Sequence, residues 1–194
     1  MTVLGGLKKG LVFVISAPAG TGKTTLVRML REEFHCVVES ISYTTRQPRA
    51  NEVPGRDYYF ITPDEFKEKI GEGEFLEYAQ VFHNYYGTSR KFVESQQERG
   101  KHVVLVIDTQ GALQLKGKID AVFIFISPPS IQELQVRLIT RRSETEEAIQ
   151  HRLSWAEKEM ALAGKYDYHI VNDHLKTAYE VLRAIFIAEE HKNR

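Results

Sequence analysis

Four stretches of the chain are apolar without alternation: LVFVIS (11–16), HVVLVID (102–108), AVFIFIS (121–127) and DYHIV (167–171). A strand with one wet face alternates apolar and polar side chains; unbroken apolar runs are how strands covered on both faces read, the usual state in a parallel sheet. Helix starts lie between them. Ser130 is followed by Glu133, Ser143 by Glu146 and Thr62-Pro63 by Glu65, the capping-box spacing in which hydroxyl and carboxylate each take one orphan amide. Gly100 is placed to stop a helix running through SRKFVESQQER. This alternation predicts an α/β fold, a parallel sheet core flanked by helices with right-handed crossovers. Two stretches depart from it. Residues 43–99 hold short runs such as YYFI and EFLEYAQV among Tyr, Glu and Arg, which predicts a small mixed α/β insertion. The segment TRRSETEEAIQHRLSWAEKEM is charge-dense with a helical period, which predicts an exposed helical arm.

A chain of 194 residues is expected to form one domain. Its 26 Lys+Arg balance 26 Asp+Glu, so nothing global draws it to nucleic acid or an anionic membrane, and any charge function must be local. The single cysteine, Cys36, has no partner for an intrachain disulfide, and the N-terminal MTVLGGLKKGLVFVIS lacks the long apolar region of a secretory leader. No apolar run approaches the ~20 residues that span a bilayer. A cytoplasmic protein is expected, without membrane attachment.

The first apolar run ends in ISAPAGTGKTTL (15–26), close to G-x-x-x-x-G-K-[ST] but with Ala17 at the first glycine. A strand before it and the helix-like KTTLVRMLREEF after it are the context this phosphate cradle requires: inward amides, glycines that permit close approach, and a helix beginning at the anion. The donor phosphates are expected among Ala17, Pro18, Ala19, Gly20, Thr21, Gly22, Lys23, Thr24 and Thr25, with Lys23 reaching the β- and γ-phosphates and Thr24 offering its hydroxyl to Mg²⁺. The competing reading is a glycine-rich turn with a surface lysine. The histidines His83, His102, His151, His169 and His174 show no metal-ligand spacing and read as surface or packing residues, so no zinc site is expected.

Arg46 and Arg49 flank Pro48 in an expected loop, where forked donors could grip a phosphate dianion; alone, they could equally be a surface patch. With "TTRQPRANEVPGRDYYF", "EFLEYAQVFHNYYGTS" and "VIDTQG", however, the chain closely resembles the guanylate kinases, nearly throughout, from SAPAGTGKTT to HIVNDHL. The resemblance implies transfer of the γ-phosphoryl of Mg·ATP to GMP, leaves dGMP open as a second acceptor, and leaves the oligomeric state undetermined. It implies a core of about 1–40, 100–130 and 160–194, a GMP-binding region of about 41–99 and a lid of about 131–159. It places Ser42, Arg46, Arg49, Tyr58 and Tyr86 on the GMP phosphate, and Glu77, Thr88 and Asp108 on the guanine edge. Guanine N1–H and its N2 amine are donors that carboxylates accept, and adenine has no such pair.

Further implications fall on the helical arm. Arg137, Arg141 and Arg152 match the family's lid arginines, whereas Arg142 stands where glycine is usual. Positive charge over a transferring phosphoryl group stabilises charge on its equatorial oxygens; a solvated helix with i,i+4 ion pairs to Glu144, Glu146 and Glu147 is the alternative. Asn172 matches a position near the ATP adenine, with loop capping as its alternative. Val106 departs from the pattern, because the family usually has an acid two residues before the aspartate here at 108; Thr88 stands where many members have serine. Guanylate-kinase-like modules that bind protein partners form a rival class. The intact Gly22-Lys23-Thr24 and the arginine set favour the enzyme, and the Glu77 and Asp108 carboxylates argue against a kinase for another nucleoside monophosphate.

Overall fold

A computed structural model describes residues 3–81, 83–140 and 146–193. Five parallel strands, β1 (Val12–Ser16), β2 (Val37–Ser40), β7 (His102–Val106), β8 (Val122–Ser127) and β9 (Tyr168–Val171), form one sheet in the order β2-β7-β1-β8-β9. The four expected strands are there. Each face of this sheet is covered, which is why the runs do not alternate. Phe13 and Ile15 point to one side, where helices α1 (Lys23–Glu33) and α7 (Leu175–Glu190) bring Leu26, Leu30, Leu182 and Phe186. Phe13 and Phe186 stack there with ring centroids 3.6 Å apart. Val12 and Val14 point to the other, against Val93 of α3 (Arg90–Glu98) and Ala112 and Leu115 of α4 (Thr109–Leu115). Fully burying one such side chain stabilises the fold by about 1.5–3 kcal/mol.

From central β1 the chain passes through α1 to β2 on one side, while β7 passes through α4 to β8 on the other. Neighbouring connections therefore diverge at the carboxyl ends of β1 and β7, where open α/β sheets bind ligands.

The expected insertion is a four-stranded sheet in the order β4-β3-β6-β5, from β3 (Tyr43–Thr44), β4 (Tyr59–Phe60), β5 (Phe75–Val81) and β6 (Asn84–Ser89). Helix α2 (Pro63–Gly71) covers it through Phe66, which stacks on Phe75 and Tyr85 at 4.4 and 5.3 Å. A Cβ at Gly87 would lie 2.9 Å from atoms of both Phe66 and Phe75, so only glycine fits under those rings. The Thr62–Glu65 capping box is formed. Ser130 accepts from Glu133 N at 3.1 Å at the start of α5 (Ile131–Thr140), and Gly100, at φ 72°, follows the end of α3. The Ser143 start lies outside the described residues.

The helical arm is the pair α5 and α6 (Glu146–Met160), which share a small apolar cluster of Leu134, Leu138, Ile149, Leu153 and Ala156. Its outer face is exposed, as expected. It also touches the core: a Cβ at Gly20 would lie 2.9 Å from Leu138 Cδ2. No helix among the described residues is long and apolar enough to cross a membrane.

Candidate active site

Residues 17–22 turn between β1 and α1 with Gly20 at φ 92° and Gly22 at φ 93°, the left-handed region that glycine enters without a Cβ clash. Thr21 closes the turn by donating from Oγ1 to Pro18 O at 2.8 Å. Gly22 caps α1 without any side-chain cap bond, and the first turn of α1 carries no acidic residue. The opening amides and the positive end of the helix dipole thus face the space where an anion gains most. Lys23 is half-buried, with Nζ 3.4 Å from Ala17 O. Burial lowers its pKa, while Glu159, Asp108 and Glu39 pull it back up. Thr24 and Ala19 are exposed, Thr25 is partly so, and Ala17 and Pro18 are buried.

At the neighbouring strand end, Asp108 caps α4: its Oδ1 accepts from Gly111 N at 2.8 Å. Burial raises its pKa, against the pull of the Gly111 amide and Lys23. Across from it, β5 points Phe75, Glu77 and Ala79 inward, so a carboxylate sits in an otherwise apolar row. Glu77 is 6 % exposed, lies opposite Thr88 in the β5–β6 register and accepts from Thr88 Oγ1 at 2.5 Å. Gly111 separates the two acids: a Cβ there would lie 2.5 Å from Glu77 Oε2 and 3.3 Å from Asp108 Oδ1. Burial pushes Glu77 up to about 7, the Thr88 hydroxyl opposing and Asp108 adding to the rise.

Arg46 leaves β3 towards Tyr58 and Tyr86. Its guanidinium carbon lies 5.4 Å from the Tyr58 ring centre, and that ring meets Tyr86 edge-on at 5.9 Å. Arg49 is exposed, and its backbone N–H donates to Glu52 Oε2 at 2.8 Å. Ser42 is half-buried, and its carbonyl accepts from Tyr59 N at 2.9 Å. Tyr86 and Thr88, two residues apart, share one face of β6, so one strand carries groups expected at both ends of a bound nucleotide.

Residues 9–189 match the family model described as guanylate kinase. The chain belongs to the guanylate kinase family. It is therefore a phosphotransferase, and the family's reaction, ATP with GMP, is its own. A guanylate kinase of Protochlamydia amoebophila is 59 % identical over 98 % of this chain and 97 % of its own. One from Chlamydia felis is 51 % identical over 94 % and 90 %. The crystal structure of guanylate kinase from Anaplasma phagocytophilum superposes with a TM-score of 0.78 at 34 % identity, covering 99 % of this chain and 91 % of that one.

Arg137 is half-buried; its Nε donates to Glu133 Oε1 at 3.2 Å and its Nη1 to Asn172 O at 3.0 Å. Asn172 in turn donates from Nδ2 to Thr21 O at 2.7 Å, so its amide braces the phosphate loop, the capping role left open above. Arg152 is partly buried on α6. Arg141 and Arg142 lie outside the described residues.

Sequence reasoning missed two carboxylates. Glu52 holds the fork of Arg46, at 3.0 Å from Nη1 and 2.9 Å from Nη2; one acid in a loop rich in charges gave no signal. Glu159, in the charge-dense arm, is 6 % exposed, and burial pushes it up to about 7 despite Lys23 and with Asp108 adding. Val106, where the family usually has an acid, packs against the apolar cluster beneath α1.

The raised Glu77 sets a pH dependence. A guanine bound against Glu77 would favour the ionised carboxylate, and GMP would then have to displace the proton that Glu77 holds below about pH 7. KM for GMP therefore rises as pH falls through 7 towards 5, by up to about tenfold per unit. The GMP phosphate titrates near 6 on its own, so the diagnostic is the comparison of pH profiles between wild type and Glu77→Gln. The variant keeps the phosphate's contribution and loses the rest; superimposable profiles would refute the assignment.

Proposed function

We propose that GMP lies with its guanine against Glu77, Thr88 and Asp108 and its phosphate against Ser42, Arg46, Arg49, Tyr58 and Tyr86, facing ATP in the cradle of residues 17–25. Support comes chiefly from one arrangement: two carboxylates of raised pKa, Glu77 buried and Asp108 half-buried, flank Gly111, beside a lysine at the mouth of an uncapped helix. Acceptors alone meet N1–H and the N2 amine, and the cradle supplies donors alone to phosphate.

Thr24 is exposed at the opening of α1, and its hydroxyl is the hard oxygen donor that Mg²⁺ takes. Bound there with ATP, Mg²⁺ would neutralise charge on the β- and γ-phosphates. An oxygen of the GMP phosphate, already anionic, attacks the γ-phosphorus; the bond to the β-phosphate oxygen breaks, and ADP and GDP result. No side chain need act as general base. Lys23 holds the donor phosphates, while Arg46, Arg49 and Tyr58 align the acceptor. Arg137, Arg141 and Arg152 belong to a lid of about 131–159 that closes against a GMP-binding region of about 41–99, over a core of about 1–40, 100–130 and 160–194. Closure excludes the water that would otherwise hydrolyse ATP. Asn172 holds the loop near the ATP adenine.

A coupled assay for ADP formation with ATP, Mg²⁺ and each nucleoside monophosphate in turn tests this. ADP is expected rapidly with GMP and about 10⁴-fold more slowly, per unit kcat/KM, with AMP, CMP or UMP. Equal or faster turnover with AMP would contradict it.

A further inference from the structure

We infer that Glu52 is a positioning residue for phosphoryl transfer: it clamps Arg46 so that the second edge of its guanidinium is turned to the acceptor phosphate. The inference rests on the assignment of Arg46 to that phosphate. Its own basis is the way the five N–H donors of Arg46 are used. Nη1 donates to Gln47 O at 2.8 Å and to Glu52 Oε2 at 3.0 Å, which uses both of its hydrogens. Nη2 gives one hydrogen to Glu52 Oε1 at 2.9 Å. The end-on edge of the fork is thereby filled. Nε–H and the second Nη2–H form the side-on edge, the other geometry in which a guanidinium takes two oxygens of one anion, and the Tyr86 side chain, assigned to the same phosphate, also bonds to this guanidinium.

The plane of the guanidinium is fixed as well. Its carbon lies 5.4 Å from the Tyr58 ring centre and 5.9 Å from that of Phe60, and Tyr86 stands beside it. Both side chains of the ion pair are 17 % exposed. Glu52 also accepts from Arg49 N, and its own N–H donates to Arg49 O at 3.0 Å, so one acid ties the second arginine's backbone to the first arginine's fork. A long flexible side chain held this way loses less freedom when the phosphate arrives. Against this, the Glu52 carboxylate repels a dianion. An acid that merely masked Arg46 would have to leave before GMP could bind; an acid confined to the end-on edge, leaving the side-on edge to Tyr86 and the phosphate, need not.

Glu52→Gln separates the two cases. Its amide oxygen, in the place of Oε2, can still accept from Arg49 N and Arg46 Nη1 while its NH₂ faces the Nη2 donor, so the turn keeps its bond and the two-bonded clamp on the fork is broken. The expected result is a KM for GMP about 10- to 100-fold higher, with KM for ATP unchanged. Binding of guanosine, which has no phosphate, measured by calorimetry, should be unchanged, and so should the thermal unfolding midpoint. Collapse of the loop would move the last two. Arg46→Ala is run in parallel, and the double variant should be no worse than Arg46→Ala alone. A KM for GMP that falls in Glu52→Gln would make Glu52 a competitor of the phosphate, and an unchanged KM would make the ion pair incidental; either overturns the inference. If Arg46→Ala itself leaves KM for GMP unchanged, the assignment of Arg46 fails and the inference with it.

Discussion

Lys23→Ala is expected to lower turnover with GMP and ATP by at least about 10²–10³-fold, the loss seen when one preorganised charge donor is removed. The ammonium sits at the mouth of α1, 3.4 Å from Ala17 O, in surroundings dry enough to lower its pKa. Charge placed in such surroundings acts on phosphate far more strongly than in water. The fold should survive, because Lys23 belongs to none of the apolar clusters on either face of the sheet. Removing it leaves Asp108 and Glu159 without the cation that now opposes their upward shifts, so both hold protons more firmly in the variant. Steady-state kinetics with a thermal unfolding curve check this; near-normal turnover would mean that the cradle does not hold the donor.

Glu77→Gln is expected to reduce kcat/KM for GMP by about 10- to 10³-fold, one or two hydrogen bonds at about 1–3 kcal/mol each, while KM for ATP moves little. The introduced amide can keep the Thr88 bond through its oxygen, so β5 and β6 stay in register. Its NH₂, however, can present a donor to guanine N–H donors. The asymmetry between the two substrates separates loss of base reading from general damage.

Much of this could be read from the chain because its physics is local. The run 12–15 is apolar throughout since both sides of β1 are covered, and Thr62 with Glu65 closes a capping box within four residues. Glu77 is legible through the family's pattern; its inward position between Phe75 and Ala79 is itself a signal, an acid on the buried phase of an alternating strand. What escaped depends on distant contacts. Strand β4 falls in the run YYFI, but β3 is two residues long and its pairing with β4, stacked Tyr43 on Tyr59 at 4.8 Å, is something no short window shows. Glu159 lies among exposed acids of one helix, and its burial within reach of Lys23 and Asp108, residues far off in sequence, is a matter of tertiary packing. Glu52 matters through a partner's geometry, and composition is silent about geometry.

The central claim is that the Glu77 and Asp108 carboxylates read guanine. IMP keeps the N1–H of GMP and lacks the N2 amine, so wild type should prefer GMP by about 1–3 kcal/mol, roughly 5- to 150-fold. The decisive measurement is kcat/KM for GMP and for IMP in wild type and in Glu77→Gln. The account predicts that the GMP-to-IMP ratio shrinks several-fold in the variant; a ratio unchanged by the substitution would contradict it.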